Sequence, residues 1–295
     1  MKIANIIIFH DDPQGVERIL KAMQHPGCSF YLHLDKKVEI SPYEYLAEYP
    51  RTFFVKDRKS VRWAGYSQLE AIMATIGQIM ESGVQYDFIN LLSGQDYPIK
   101  PIEHIYNFLA DNLGSSFLMS ETPPSYWWGE AISRFQKYHF IDYGFPGKFR
   151  FGNVLSAILP ERKFPLALQL YGGPNAAYWI LDINAACYVH KFLTSKESKK
   201  AFFKHTWGPD EFLINTLLMH SPFKHKIINE NYHFLDRSQG GSRPKTLTSD
   251  DFEQLRNSSK FFARKFDRKV DEAVLDRIDK ELLFLQEKKA YYISA

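Results

Sequence analysis

Between residues 3 and 92 the chain switches repeatedly between two hydrophobic periods, and that alternation restricts the fold more than any other feature. Residues 3–9 form a short, mostly apolar, β-branched run. Residues 15–24 follow with Val16, Ile19, Leu20 and Met23 at helical spacing. Residues 29–34 (SFYLHL) and 52–55 read as a second and a third strand. Residues 67–82 predict a long helix with Leu69, Ile72, Met73, Ile76, Ile79 and Met80 on one side. Residues 86–92 (YDFINLL) read as a fourth strand, stopped by Ser93 and Gly94. Strands alternating with helices build a mostly parallel sheet covered by helices. Ligands of such sheets sit beyond the carboxyl ends of the strands. Here those ends carry His10-Asp11-Asp12, Asp35-Lys36-Lys37 and Ser93-Gly94-Gln95-Asp96.

The middle of the chain reads differently. Pro123, Pro124, Pro146, Pro160 and Pro165 break up residues 120–170, where Tyr126, Trp127 and Trp128 stand together. This predicts a long, aromatic, loop-rich insertion, and loops of that length are functional or disordered. The aromatic residues argue for function. Residues 176–193 return to strand then helix, and 209–219 predict a helix opening at Pro209-Asp210-Glu211. A polar stretch around Ser238 follows, made flexible by Gly240 and Gly241. Val270, Val274, Ile278, Leu282 and Leu285 at helical spacing predict a terminal helix. No repeat, low-complexity segment or clear linker divides the chain.

Charge and composition exclude several classes. Among 295 residues, 37 Lys and Arg oppose 34 Asp and Glu, a net charge of +3, so no nucleic-acid partner is expected. The aromatic share of 16% is high, and such rings both fill cores and stack on sugars and bases. Two cysteines, Cys28 and Cys187, make no disulfide framework and point to a reducing compartment. No apolar run reaches the roughly 18 residues of a spanning helix. The opening MKIANIIIFHDD is too short in its apolar part for a signal peptide and reads as a buried strand. A cytoplasmic location is therefore expected, at most peripheral at the inner face of the membrane.

Many chemistries are absent from the sequence. There is no phosphate loop G-x-x-x-x-G-K-[ST], no G-x-G-x-x-G after a strand, no H-E-x-x-H, no paired C-x-x-C and no G-x-S-x-G elbow. There is also no D-x-D, the carboxylate pair that commonly holds a metal on the diphosphate of a sugar nucleotide. Without it, two phosphates would need Lys and Arg.

Four stretches stand out: Ser60-Val61-Arg62-Trp63-Ala64-Gly65-Tyr66-Ser67; residues 89–100 (INLLSGQDYPIK); Trp207-Gly208-Pro209-Asp210-Glu211-Phe212-Leu213; and residues 261–267 (FFARKFD), preceded by Ser242-Arg243-Pro244-Lys245. In this order, from about residue 3 to about residue 271, they resemble the Core-2/I-branching family of glycosyltransferases. That family includes β-1,6-N-acetylglucosaminyltransferases and peptide O-xylosyltransferases. The chain looks like a compact, bacterial-type member without the Golgi anchor and most of the cysteines of the animal enzymes. The resemblance implies an α/β, GT-A-like fold: a Rossmann-like mixed, mostly parallel sheet flanked by helices, in a single domain with a loop-rich insertion. Residues 1 to about 100 would form the nucleotide-binding half, 101–268 the acceptor and catalytic half, and 269–295 a C-terminal helix. The resemblance also implies inversion at the anomeric carbon and no metal or other cofactor.

The same resemblance assigns residues. Glu211 is similar in position to the family's catalytic glutamate, and an inverting transfer needs one general base. Asp210 and Glu211 would equally serve as the acidic start of a helix behind Pro209. Lys265 looks like the family's diphosphate-binding lysine, and Arg243 like the arginine that pairs with it; Arg264 and Lys245 are read as bystanders. His33 and Asp35 are similar to an H-V-D element beside the nucleotide base, with Arg62 and Trp63 near the same pocket. Asp35 reads as well as a strand-end turn residue. Asp96 is expected to hold loop geometry or touch the donor sugar, not a metal. Glu121 resembles an acceptor-binding glutamate and Arg134 a basic acceptor contact, though its spacing differs by a couple of residues. Tyr126, Trp127 and Trp128 offer stacking faces or lie in the core, and Tyr232 and Phe234 are weaker acceptor candidates.

The expected activity is an inverting, metal-independent transfer from a UDP-sugar to a hydroxyl of a glycan or glycolipid acceptor. UDP-GlcNAc is the first donor, with UDP-xylose and UDP-glucuronate behind it. A non-catalytic sugar-nucleotide or glycan sensor would keep Lys265 and Arg243 but have no use for Glu211. A metal-dependent enzyme with a disguised carboxylate site is the other alternative.

Overall fold

The computed structural model describes residues 1–195, 197–240 and 243–284. The first third follows the alternating pattern closely. Strand β1 (Ile3–Phe9) leads to α1 (Pro13–Ala22), then β2 (Cys28–Leu34), β3 (Thr52–Phe54), α2 (Ser67–Glu81) and β4 (Phe88–Ser93). Asp12 caps α1 by accepting from the Gly15 amide at 3.1 Å, with Pro13 at the first helical position, where its missing N–H costs nothing. Met80, expected on the apolar side of α2, is half exposed. Four strands, β3-β2-β1-β4, run parallel, and the continuous apolar runs of β1, β2 and β4 are buried on both faces. Asn5 and Asn90 stand opposite each other inside this sheet, and the Asn90 side-chain Nδ2 donates to the Asn5 side-chain Oδ1 at 3.0 Å. That pairing lets two buried amides tolerate the core.

The chain continues through β5 (Asp96–Pro98), α3 (Ile102–Asp111) and β6 (Ser116–Leu118) into the region of residues 120–175. There the structure corrects the loop-rich expectation: α4 (Tyr126–Ala131), α5 (Ser133–Gln136) and α6 (Lys148–Ile158) are helical. Ser125 starts α4 by accepting from the Trp128 amide at 3.2 Å. Next come β7 (Trp179–Asp182), α7 (Ile183–Thr194), α8 (Glu197–Phe203), α9 (Leu213–Met219), β8 (Ile227–Ile228), β9 (His233–Leu235), α10 (Phe252–Asn257), β10 (Phe262–Arg264) and α11 (Ala273–Glu281). The terminal helix is thus shorter than 269–295, and Leu285 and the rest of that prediction lie outside the described residues.

The main sheet has the order β3-β2-β1-β4-β7-β6-β8, with β7 antiparallel to both of its neighbours. A small sheet, β5-β10-β9, stands beside the carboxyl end of β4. Apolar side chains fill both faces of the main sheet. Val16, Ile19 and Leu20 of α1 and Val274 and Ile278 of α11 pack on one face. Ile72 and Ile76 of α2, Val189 of α7 and Leu217 of α9 pack on the other. The result is the mixed, mostly parallel α/β sheet flanked by helices that a GT-A-like chain requires.

Candidate active site

The carboxyl ends of the parallel strands are level. Ile8 pairs with Ser93 and Phe9 with Leu34, so the residues after all three strands meet along one edge. Gly94 is required there: a Cβ would stand 2.7 Å from the Phe9 Cβ. Asp96 is buried just beyond, where it accepts from the Ser93 amide at 2.5 Å and pairs with Arg264 at 3.5 Å. Arg264 in turn lies 4.6 Å from the centroid of the Tyr178 ring. Arg264 is therefore an internal counter-ion, because a buried carboxylate needs a charge partner. Asp96 holds loop geometry, one of the two roles expected of it. Lys245 pairs with Asp251, away from any ligand role. Among the described residues, no group of three or more His, Cys, Asp or Glu is placed to hold a metal ion.

At the end of β2, the fully buried His33 accepts from the Lys59 amide at 2.9 Å through Nε2. Burial pushes its pKa down to about 4, so the ring is neutral. This corrects the assignment of His33 as a donor contact: its ring props the loop of residues 59–64 and has no surface for a ligand. Asp35 accepts from the Lys37 amide at 2.9 Å and pairs with the Lys37 ammonium at 3.1 Å, so its turn role is realised. The Lys37 ammonium also reaches the Val61 carbonyl at 2.6 Å, which fixes the approach to Arg62 and Trp63.

Trp63 links this loop to the third motif. It is half exposed, edge-on to Trp207 at 5.6 Å, and the Arg243 guanidinium lies 5.4 Å from its ring centroid. Arg243 is exposed, and four residues later the Leu247 amide donates to the Lys265 carbonyl at 2.9 Å. The two cations expected at the diphosphate thus occupy neighbouring segments. The Lys265 ammonium has no ion pair among the described residues, and the next amide, that of Phe266, donates to the Gln95 carbonyl at 2.9 Å.

The Pro209–Glu211 segment is a single 3-10 turn, not the start of the predicted 209–219 helix. Phe212, at φ −149° and ψ −24°, leaves the helical conformation, and α9 begins only after it. Close backbone approaches hold the turn. Gly208, at φ +58°, donates to the Ala64 carbonyl at 2.8 Å, and the Glu211 carbonyl accepts from the Gly173 amide at 3.1 Å. A Cβ on Gly172 would stand 2.6 Å from both the Glu211 carbonyl oxygen and the Phe212 Cβ. Gly172 also forms a two-way backbone bridge with Glu121, so the turn and the Glu121 segment are tied together.

Arg134, at the start of the short helix α5, donates to the Glu211 carboxylate and lies 5.1 Å from the Trp127 ring centroid. Burial raises the Glu211 pKa against the pull of the Arg134 and Arg237 cations. Asp210, beside it, is pushed up to about 7 by burial and by the Glu211 charge, and its Oδ1 has no hydrogen-bond partner among the described residues. Two adjacent carboxyls therefore stand under two arginines, with burial raising their proton affinity and the arginine charges opposing the rise.

One assignment is corrected here. Trp128 is only 1% exposed; its ring lies edge-on to Phe212, and its indole N–H donates to the Glu121 carbonyl at 3.0 Å. It is core and offers no face to a sugar. Tyr232 stacks on Phe261 at 4.2 Å and meets Phe108 at 5.0 Å, half-buried against the core on the α1 side of the sheet, and Phe234 packs there too. Trp127 and the 89%-exposed Tyr126 remain the open aromatic faces near Arg134. Arg237 was missed. It sits two residues beyond β9 and donates to the Pro174 carbonyl and, at 3.2 Å, to the Asn175 side chain. Its only sequence signal is its place in the polar stretch near Ser238.

A cavity of about 920 Å³ lies elsewhere, between β3 and α2, lined by Gly27, Arg51, Phe53, Met73 and His190 among others. None of the site residues lines it.

Comparison with known proteins agrees with the family resemblance. The chain is 27% identical over 296 residues to Xylosyltransferase oxt of Drosophila pseudoobscura pseudoobscura, covering 90% of this chain and 32% of that protein. It is 26% identical over 303 residues to Xylosyltransferase 2 of Rattus norvegicus, covering 95% and 33% respectively. The chain thus spans about a third of the length of these curated relatives. Among solved structures, the apo form of mouse xyloside xylosyltransferase 1 aligns with 89% of this chain and 97% of its own, at 12% identity and a TM-score of 0.40. The sequence model described as Core-2/I-Branching enzyme matches residues 3–258, and the chain belongs to that family of glycosyltransferases.

Proposed function

We propose that the chain is an inverting, metal-independent glycosyltransferase that moves a sugar from a UDP-sugar to a hydroxyl of a glycan or glycolipid and forms a β-linkage. The observation that carries this reading is the Glu211 carboxylate, raised in proton affinity by burial, engaged by Arg134 and fixed on a turn tied to Gly172 and Gly173. The acceptor oxygen attacks the anomeric carbon from the face opposite the diphosphate, and its proton passes to Glu211. The bond from that carbon to the phosphate oxygen breaks, and UDP leaves with the electron pair. Lys265 and Arg243 stabilise the charge that develops on it.

The engagement of Asp96 with the Ser93 amide and Arg264 supports a reading without metal, because the carboxylate nearest the usual D-x-D position is already committed. The names of the relatives favour UDP-xylose as the first donor to test, ahead of UDP-GlcNAc and UDP-glucuronate. On the acceptor side, Glu121 and Trp127 flank the Arg134–Glu211 pair. The free thiols Cys28 and Cys187 favour a reducing, cytoplasmic setting.

The test is a UDP-release assay of the purified chain across the three donors, with and without EDTA. The expected outcome is release from one donor, undiminished by chelator. Loss of turnover in EDTA, restored by a divalent cation, would overturn the metal-independent part.

A further inference from the structure

Helix α6 turns an apolar stripe toward solvent. Phe151, Val154 and Ile158 recur at helical spacing and are 49%, 58% and 74% exposed. The helix touches the body through Gly152, where a Cβ would stand 2.5 Å from the Tyr138 carbonyl, and through Ser156, which accepts from the Tyr138 amide at 2.9 Å. Val154 and Ile158 thus project into solvent, while the Phe151 ring is half covered by Phe140, 5.0 Å away. Phe145, itself exposed, meets Phe151 at 5.8 Å and extends the patch into the preceding loop. Scattered exposed apolar residues are ordinary, but a continuous group of this kind marks a docking surface.

Charge selects the occupant. No Asp or Glu occurs between Asp142 and Glu161. Arg150 lies beside Val154 on the outward face, exposed and without an ion pair among the described residues. Lys137 and Lys163 are exposed at either end of the segment. An apolar stripe bordered by cations is the pattern of a helix lying in a membrane interface. An isologous dimer would set two such cationic faces against each other. An anionic bilayer gives each cation a counter-charge.

We infer that α6 docks flat on an anionic phospholipid surface, with Val154 and Ile158 in the acyl boundary and Arg150 at the headgroups. Residues 136 and 162 are joined by a backbone bond of 2.9 Å, so the docking face belongs to the same insertion as Arg134. The docking does not depend on the transferase reading, because it is read by binding alone.

The test is co-sedimentation with vesicles of phosphatidylglycerol and phosphatidylcholine, against vesicles of phosphatidylcholine alone. Binding on the order of tenfold stronger to the anionic vesicles is expected. The double variant V154D/I158D should lose about tenfold or more of it, and R150E several-fold, with unchanged melting temperatures. Equal binding by the wild type and V154D/I158D would overturn the inference. So would a concentration-dependent dimer that V154D/I158D dissociates, with no vesicle binding by the wild type.

Discussion

Residues 3–93 and residues 120–175 are held together by different forces. The first region is a ladder of parallel strands whose side chains are buried on both faces, with helices laid over them. The second has short helices, exposed apolar side chains, and cation–aromatic and carboxylate contacts that converge on Glu211. The first region stores stability in many interchangeable apolar contacts. The second stores geometry in a few contacts that have no substitute. Damage to the first should cost folding free energy, and damage to the contacts around the second should cost rate.

The largest expected effect on folding comes from Leu32→Ala, in the fully buried second strand. Removing that side chain should cost about 2–5 kcal/mol in chemical denaturation, with turnover per folded molecule little changed. A loss under about 1 kcal/mol would show that the parallel ladder is not the stable half.

Gly172→Ala should reverse the pattern. The added methyl would meet the Glu211 carbonyl and the Phe212 Cβ at 2.6 Å, so the turn must shift. Turnover should fall about tenfold or more. Unchanged turnover would mean that the bridge to Glu121 does not position the carboxylate.

The smallest expected effect is a displaced pH profile. Burial raises the Glu211 pKa, and Arg134 opposes the rise. A base acts when deprotonated, so the rate falls as the pH drops through that pKa. Arg134→Met removes the opposing cation, raises the pKa further and should move the acidic limb of kcat/KM to higher pH. Arg134→Lys should leave the limb near its wild-type place. A shift to lower pH in the Met variant would show that Arg134 does not govern the Glu211 charge.

The same contrast explains what could be read from sequence. Continuous apolar runs placed β1, β2 and β4, and apolar spacing placed α2, within a couple of residues, because backbone ladders follow local pattern. The 209–219 helix failed at its start because the Glu211 carbonyl is committed to Gly173, a contact 38 residues away along the chain. The prolines of 120–170 hid three short helices, although Ser125 ahead of Trp128 was a readable cap. Arg134 and Glu211 were singled out by the family resemblance, and the structure brings them into contact. Trp128 and His33 were not, since residue type alone does not tell a ligand contact from a core ring. Arg237 belongs to no pattern; only the fold brings its charge toward Glu211.

The central claim is that Glu211 takes the acceptor proton. It is tested most directly by measuring transfer and UDP affinity together in Glu211→Gln. The account predicts transfer lowered on the order of a thousandfold, with UDP affinity by calorimetry within about twofold of the wild type. Transfer at the wild-type rate in that variant would contradict it.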